Sequence, residues 1–227
     1  FIPAIAGLSY SLPEGQMPWP GEPLDRDRIR AARDVDVDAS ELLRLAREFY
    51  EIHAQCTDPV AVYQADNQGV FDIAHLLYGD EIFYDLPSED AQPWVEELFD
   101  ICRALYVRVT ERMKEFLGEA RTAMIHGHGS SQGVWFPTAG VRMSEDTPTL
   151  LSPEMLEHCV LPEIRKAAEP FGGVFVHYCG QHEPFFDLLC RADCVRAIDL
   201  GNPEYYDTQW LMKQCGATGT VLHSRLA

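Results

Sequence analysis

A chain of 227 residues, 46% hydrophobic and 24% charged, has the length and apolar content of a globular domain with a substantial core. Eighteen basic residues against thirty-six acidic ones give a net charge of −18, which argues against nucleic acid and an anionic membrane surface as partners, since both need a basic face. No apolar run approaches the ~18 residues of a spanning helix, no signal peptide is visible from Phe1 onward, and seven scattered cysteines, an odd number, fit a reducing cytoplasm better than a disulfide scaffold.

Residues 1–38 are rich in Pro, Gly and Asp, with prolines at 3, 13, 18, 20 and 23, and read as irregular with at most one short strand at the start. Asp38 or Ser40 caps a helix running to about Gln55, whose apolar stripe is Leu42, Leu45, Ala46, Phe49 and Ile52. Residues 59–65 read as a buried strand that ends at Asp66 and Asn67. A helix follows through Phe71, Ile73, Ala74, Leu76 and Leu77 to Gly79. A longer one, opened by Ser88 and Pro93, carries Trp94, Leu98, Ile101, Leu105, Val109, Met113 and Phe116 up to Gly118.

Residues 122–129 are either a strand or a loop insertion; His126 and His128 alternate with glycine there and read as a solvent-exposed pair near a mouth. Residues 140–146 form a better strand, ending in Glu145 and Asp146, of which alternation sends only one inward. Ser152-Pro153-Glu154 is a helix start with a hydroxyl cap, and Pro162 bends the helix it opens. The strand within 173–180 is bounded by glycines and ends in His177 and Cys179, which its two-residue period points to one side. After it come a helix to about Cys190, a strand at 195–200 ending near Asp199 and Glu204, a helix capped by Asp207 and ended by Gly216, and a strand at 218–223 closed by His223.

Strands alternating with helices imply a parallel sheet, with four good strands and two weaker ones, and sites at the carboxyl ends of the strands. An eight-unit barrel takes roughly 250 residues. The chain is therefore either a short open α/β sheet or a barrel lacking part of its length, read as one domain over 1–227 with an irregular segment at 1–38 and alternating elements at 39–227.

The run Met143-Ser144-Glu145-Asp146, the segment Leu151-Ser152-Pro153-Glu154-Met155-Leu156, Val160-Leu161-Pro162 and His177-Tyr178-Cys179-Gly180 together resemble the uroporphyrinogen decarboxylase superfamily. Gln68-Gly69-Val70-Phe71 is similar to its Gly-Pro-Phe segment, with Val70 where Pro is usual, and the resemblance covers about residues 59–227. It implies a (β/α)8 TIM-type barrel, partial or truncated here, and one of two chemistries. One is metal-free decarboxylation of uroporphyrinogen in porphyrin biosynthesis; the other is methyl transfer between a corrinoid and a thiol, with zinc held by His-x-Cys and a distant second Cys. The decarboxylases' arginine-rich amino-terminal segment is absent, and a net charge of −18 poorly suits a polycarboxylate.

Zinc takes nitrogen and sulfur donors, commonly three from the protein in a catalytic site, so His177 and Cys179 supply two of them. The competing reading is a hydrogen-bonded core histidine and an apolar cysteine. His223 is a third donor, an acid/base group or a barrel-lining polar residue. Asp146, Asp199 and His223 are the candidate catalytic groups; Asp66, Asn67, Arg142 and Glu204 are the candidate substrate contacts. A decarboxylase would use Arg142 or Arg225 as an anion anchor, and a non-catalytic corrinoid- or substrate-binding barrel is a third reading. Cys190 and Cys194 read as structural thiols. The expected partners are a small-molecule substrate, a corrinoid protein and a second copy of the chain.

Overall fold

The structure is a computed structural model that describes residues 1–56, 61–127 and 133–224. The first segment is folded rather than irregular. It holds α1 (Ile2–Ile5), an antiparallel pair of two-residue strands, β1 (Tyr10–Ser11) and β2 (Trp19–Pro20), and α2 (Arg26–Ala31). Ile2, Ile5, Leu8, Leu24 and Ile29 are buried, so apolar residues scattered among the prolines supply the driving force that local pattern hid. Asp25 caps α2, its Oδ1 accepting from the Arg28 amide at 2.8 Å.

α3 (Glu41–Ala54) forms with Ser40 at its cap position, but its expected stripe faces out: Leu45, Phe49 and Ile52 are 46, 56 and 67% exposed. The buried face is Leu43 and Tyr50, a heptad apart, packed toward the long helix. Tyr50 decides the rotation, because its hydroxyl accepts from the Ala65 amide at 2.8 Å. Of the strand expected over 59–65, Pro59 and Val60 lie outside the described residues and 61–65 join no strand; only Gln68 makes a parallel bridge, to Ser144. The Asn67 carbonyl accepts from the Ser144 amide at 2.9 Å, which keeps this segment beside the sheet.

α4 (Val70–Tyr78), α5 (Glu81–Asp85) and α6 (Gln92–Leu117) follow, with Gly79 and Gly118 at positive φ ending α4 and α6 as expected. Of the strand or loop expected over 122–129, residues 124–126 form a strand. β3 (Met124–His126) pairs antiparallel with β4 (Val134–Phe136), while His128 and Gly129 lie outside the described residues. The helix opened by Ser152 is α7 (Pro153–Met155), a π-turn at Leu156–Val160, and α8 (Leu161–Ala168). Pro162 has no N–H for the His158 carbonyl, and the chain absorbs that loss by widening the turn just before it. α9 (Glu183–Arg191) and α10 (Thr208–Thr218) complete the helices; α10 runs through Gly216 and ends at Gly219, which holds the left-handed conformation.

β5 (Val141–Ser144), β6 (Val174–Tyr178), β7 (Val195–Leu200) and β8 (Val221–His223) form one parallel sheet in that order, so the fold is mixed α/β. Register places Ser144, His177, Asp199 and His223 abreast across all four strands. Alternation then gives the sheet two unlike faces. Val141, Met143, Val174, Val176, Tyr178, Ile198 and Leu200 join the large core with the helices. The opposite face carries Arg142, Phe175 and Ala197 below that polar row, and the β3–β4 hairpin covers its lower half through Met124 and Phe136.

A reciprocal tie fixes α4 to the end of β5. The Glu145 carboxylate accepts from the amides of Phe71 at 3.3 Å and Asp72 at 3.1 Å, while Asp72 accepts from the amides of Asp146 at 3.0 Å and Thr147 at 2.9 Å. A Cβ at Gly69 would lie 2.1 Å from a Glu145 oxygen, so only glycine admits this approach. Burial pushes Asp72 up from an ordinary 3.8 to about 6, and burial, then the nearby Asp72 charge, raises Glu145 well above the carboxylate range. A raised folded-state pKa means that Asp72's contribution to stability is full below its unfolded value and lost as pH rises through about 6. Unfolding free energy is expected to fall by about 1–3 kcal/mol between about pH 4 and 6 as Asp72 ionises. Carbon-13 carboxyl titration of Asp72 with a midpoint near the ordinary value would refute this.

Candidate functional site

The polar row sits at the carboxyl ends of the parallel strands, and Asp199 is its hub. Asp199 Oδ2 lies 2.9 Å from His177 Nδ1, and its Oδ1 lies 3.3 Å from His223 Nδ1. Arg142 Nη2 approaches Oδ2 at 3.4 Å, and His126 Nε2 is 3.7 Å from the same oxygen. A carboxylate at one imidazole nitrogen fixes the tautomer, leaving the lone pair on the other. For His177 that other nitrogen is Nε2, 3.4 Å from Cys179 Sγ.

His177 and Cys179 therefore do point together, as the strand period requires. Asp146 joins them: its Oδ1 accepts from the Cys179 amide at 2.6 Å and lies 3.9 Å from His177 Nε2. One donor atom from each of Asp146, His177 and Cys179 lies within 4.8 Å of the others, with His177 buried and the other two exposed. Burial pushes the Cys179 thiol up to about 11, and the carboxylates of Asp146 and Asp199 add to it. Nitrogen, sulfur and carboxylate oxygen in this spread are the donor set zinc takes, with exposure leaving a position open.

Of the residues expected at the site, Asp146, His177, Cys179, Asp199, His223 and Arg142 come together. Glu145 turns away to cap α4. Arg142 pairs with Asp66 and donates to Ser144 Oγ at 2.9 Å besides approaching Asp199, so its guanidinium is engaged by the protein itself. Asp66 also lines an apolar cavity of about 410 Å³ with Leu8, Leu12, Leu42 and Leu76. Asn67 is buried, and its Oδ1 has no hydrogen-bond partner among the described residues. Glu204 is exposed on the turn after β7 and, among the described residues, meets the site through Asn202, whose Oδ1 accepts from the Gly180 amide at 2.9 Å. Arg225 lies outside the described residues.

Three contributors escaped the sequence. His126 is 2% exposed, not a surface residue; it stacks on Phe175 with centroids 4.0 Å apart. The alternation Met124-x-His126 was the available signal, since both face the covered half of the sheet. Ser144 belongs to the row by register alone. Gly201 lies so close that a Cβ there would sit 2.5 Å from Cys179 Sγ. Gly201→Ala is therefore expected to displace the sulfur and lower metal affinity by about 10–100-fold, the size of a supporting-shell effect, while leaving unfolding free energy within about 1 kcal/mol. Zinc competition titration beside thermal melts checks it; unchanged affinity would show that the sulfur position does not matter.

No protein-family model matches this chain, and no curated protein matches its sequence. Among solved structures it is similar to a methyltransferase from Methanosarcina mazei, with a TM-score of 0.73 and 16% sequence identity, over 98% of this chain and 61% of that one. The likeness is one of fold, and the chain spans about three-fifths of that methyltransferase's length. No helix among the described residues is long and apolar enough to cross a membrane.

Proposed function

We propose that this chain belongs to the uroporphyrinogen decarboxylase superfamily on its methyltransferase side, as part of a (β/α)8 barrel whose site is the His177–Cys179 centre. The observation that carries this reading is the geometry of one histidine. His177 has Nδ1 pinned by Asp199 and Nε2 presented to Cys179 Sγ at 3.4 Å, at the carboxyl end of a parallel strand. The fold likeness to a methyltransferase supports the same class.

The residues that would hold zinc are His177 through Nε2, Cys179 through Sγ and Asp146 through Oδ1. Zinc bound there would supply Lewis acidity that keeps a substrate thiol as thiolate at neutral pH, the form that attacks a methyl group. The chain's own part is preparation. Asp199 keeps the Nδ1 proton on His177 and so directs its lone pair to the metal position. Asp146 fixes the Cys179 backbone through its amide, and Arg142 offsets the charge of Asp66 and Asp199. The cavity beside Asp66, about 410 Å³ and largely apolar, is of small-ligand size. A corrinoid or related methyl donor is the expected second reactant, carried by a partner protein in the cytoplasm.

Decarboxylation draws less support, because Arg142, one of its two expected anion anchors, is already held by Asp66, Ser144 and Asp199, while the other, Arg225, lies outside the described residues. The test is methyl transfer from methylcobalamin to a small thiol, followed by the corrinoid's visible spectrum, with zinc-loaded protein. Turnover lost in Cys179→Ser is expected. Turnover of uroporphyrinogen by metal-free protein, with no thiol methylation, would overturn the reading.

A further inference from the structure

A second set of donors stands on the other side of Asp199, toward β8. His126 and His223 meet edge to face with centroids 4.7 Å apart, and one donor atom from each of His126, Asp199 and His223 lies within 4.8 Å of the others. We propose that His126, Asp199 and His223 form a second divalent-metal site, separate from the His177–Cys179 centre and independent of the methyl-transfer reading.

Two imidazoles and one carboxylate are a donor set for borderline divalent ions such as zinc, iron(II), cobalt or nickel, and they carry no thiolate. The spacing favours an ion over a plain hydrogen-bond network. His126 Nε2 stands 3.7 Å from Asp199 Oδ2, too long for a hydrogen bond yet suited to two ligands of one ion. The rings are held rather than loose. His126 is clamped flat on Phe175 at an interplanar angle of 12°, and Phe175 packs with Met124, Phe136, Ala139 and Ala197 in an apolar cluster. Preorganised imidazoles backed by apolar packing are what a metal site needs. His223 is 22% exposed at its side chain and offers the way in. Among the described residues the cation facing this set is Arg142, 3.4 Å from Asp199 Oδ2; Asp66 offsets it, and Oδ1 is on the His223 side. Asp199 thus touches both centres, binding the second ion directly and orienting His177 for the first.

Equilibrium dialysis of the full chain against zinc, and separately against cobalt(II), with metal counted by mass spectrometry, tests this. Wild type is expected to bind two equivalents, and His223→Ala one. His126→Phe, which keeps the stack on Phe175, is also expected to bind one. In both variants the sulfur-to-cobalt charge-transfer band of the Cys179 site persists, and Cys179→Ser loses that band while keeping the other equivalent. Circular dichroism and melting confirm that each variant folds; His223, at the partly exposed edge, carries the test if His126→Phe does not. One equivalent with the band, unaffected by either histidine variant, overturns the second site and leaves the first intact. One equivalent without the band, lost in His223→Ala, supports the second site and removes the first. No metal in wild type overturns both.

Discussion

Asp199→Ala is expected to cost about 3–5 kcal/mol of unfolding free energy and to lower metal affinity at His177 and Cys179 by about 10–100-fold. Asp199 is 5% exposed and lies within reach of Arg142, His177, His223 and His126. Removing it takes one carboxylate from a largely buried guanidinium, which keeps Asp66 and Ser144 among the described residues, and frees the His177 ring to change tautomer. Loss of an interior charge partner costs more than the pair contributed, because the survivor keeps its desolvation penalty. Asp199→Asn separates the two effects. It keeps the shape and most of the stability, but an amide holds the imidazole less firmly than a carboxylate, so metal affinity stays reduced. Urea denaturation and zinc competition on both variants measure this; metal affinity unchanged in Asp199→Asn would mean that His177 does not depend on its neighbour.

Lys114→Ala is expected to destabilise the fold by a similar about 3–5 kcal/mol, far from any chemistry. Lys114 is 4% exposed near the end of α6, and its Nζ donates to Glu119 at 3.3 Å and to the carbonyls of Ala120 at 3.1 Å and Ala123 at 2.9 Å. Glu119 in turn accepts from the Ile125 amide at 3.1 Å, so the pair anchors the turn that leads into β3. Truncation leaves the Glu119 carboxylate without its cation and takes the Lys114 ammonium from the Ala123 carbonyl, while the Ala120 carbonyl keeps the Ala123 amide. Because β3 carries His126, faster hydrogen exchange over 123–126 should accompany the loss. A change under about 1 kcal/mol in denaturant would show that water replaces the ammonium at no cost.

Much of the site was legible because it sits on strands. A period of two and glycine punctuation put His177 beside Cys179, and strand ends marked Asp146, Asp199 and His223. Helix ends were legible for the same local reason, as Gly79, Gly118, Ser152 and Asp207 act on their own neighbours. What failed was set by distant partners. The face that α3 buries depends on Tyr50 reaching Ala65, and β3 is a strand because it pairs with β4, whose first residue is eight positions beyond β3's last. Gly216 resembled a helix stop, yet α10 continues for two more residues to Thr218, with Gly219 taking the positive φ. Arg142 looked free to bind an anion because the sequence does not say that Asp66 and Asp199 flank it. The hub role of Asp199 needed register across four strands, which no single segment carries.

The proposed chemistry requires Cys179 sulfur and His177 Nε2 to bind one ion. X-ray absorption of the zinc-loaded chain measures this directly. A sulfur neighbour at about 2.3 Å beside nitrogen and oxygen neighbours at about 2.0–2.2 Å is expected, with the sulfur gone in Cys179→Ser. A shell of nitrogen and oxygen alone in the wild type, unchanged by that substitution, would contradict it.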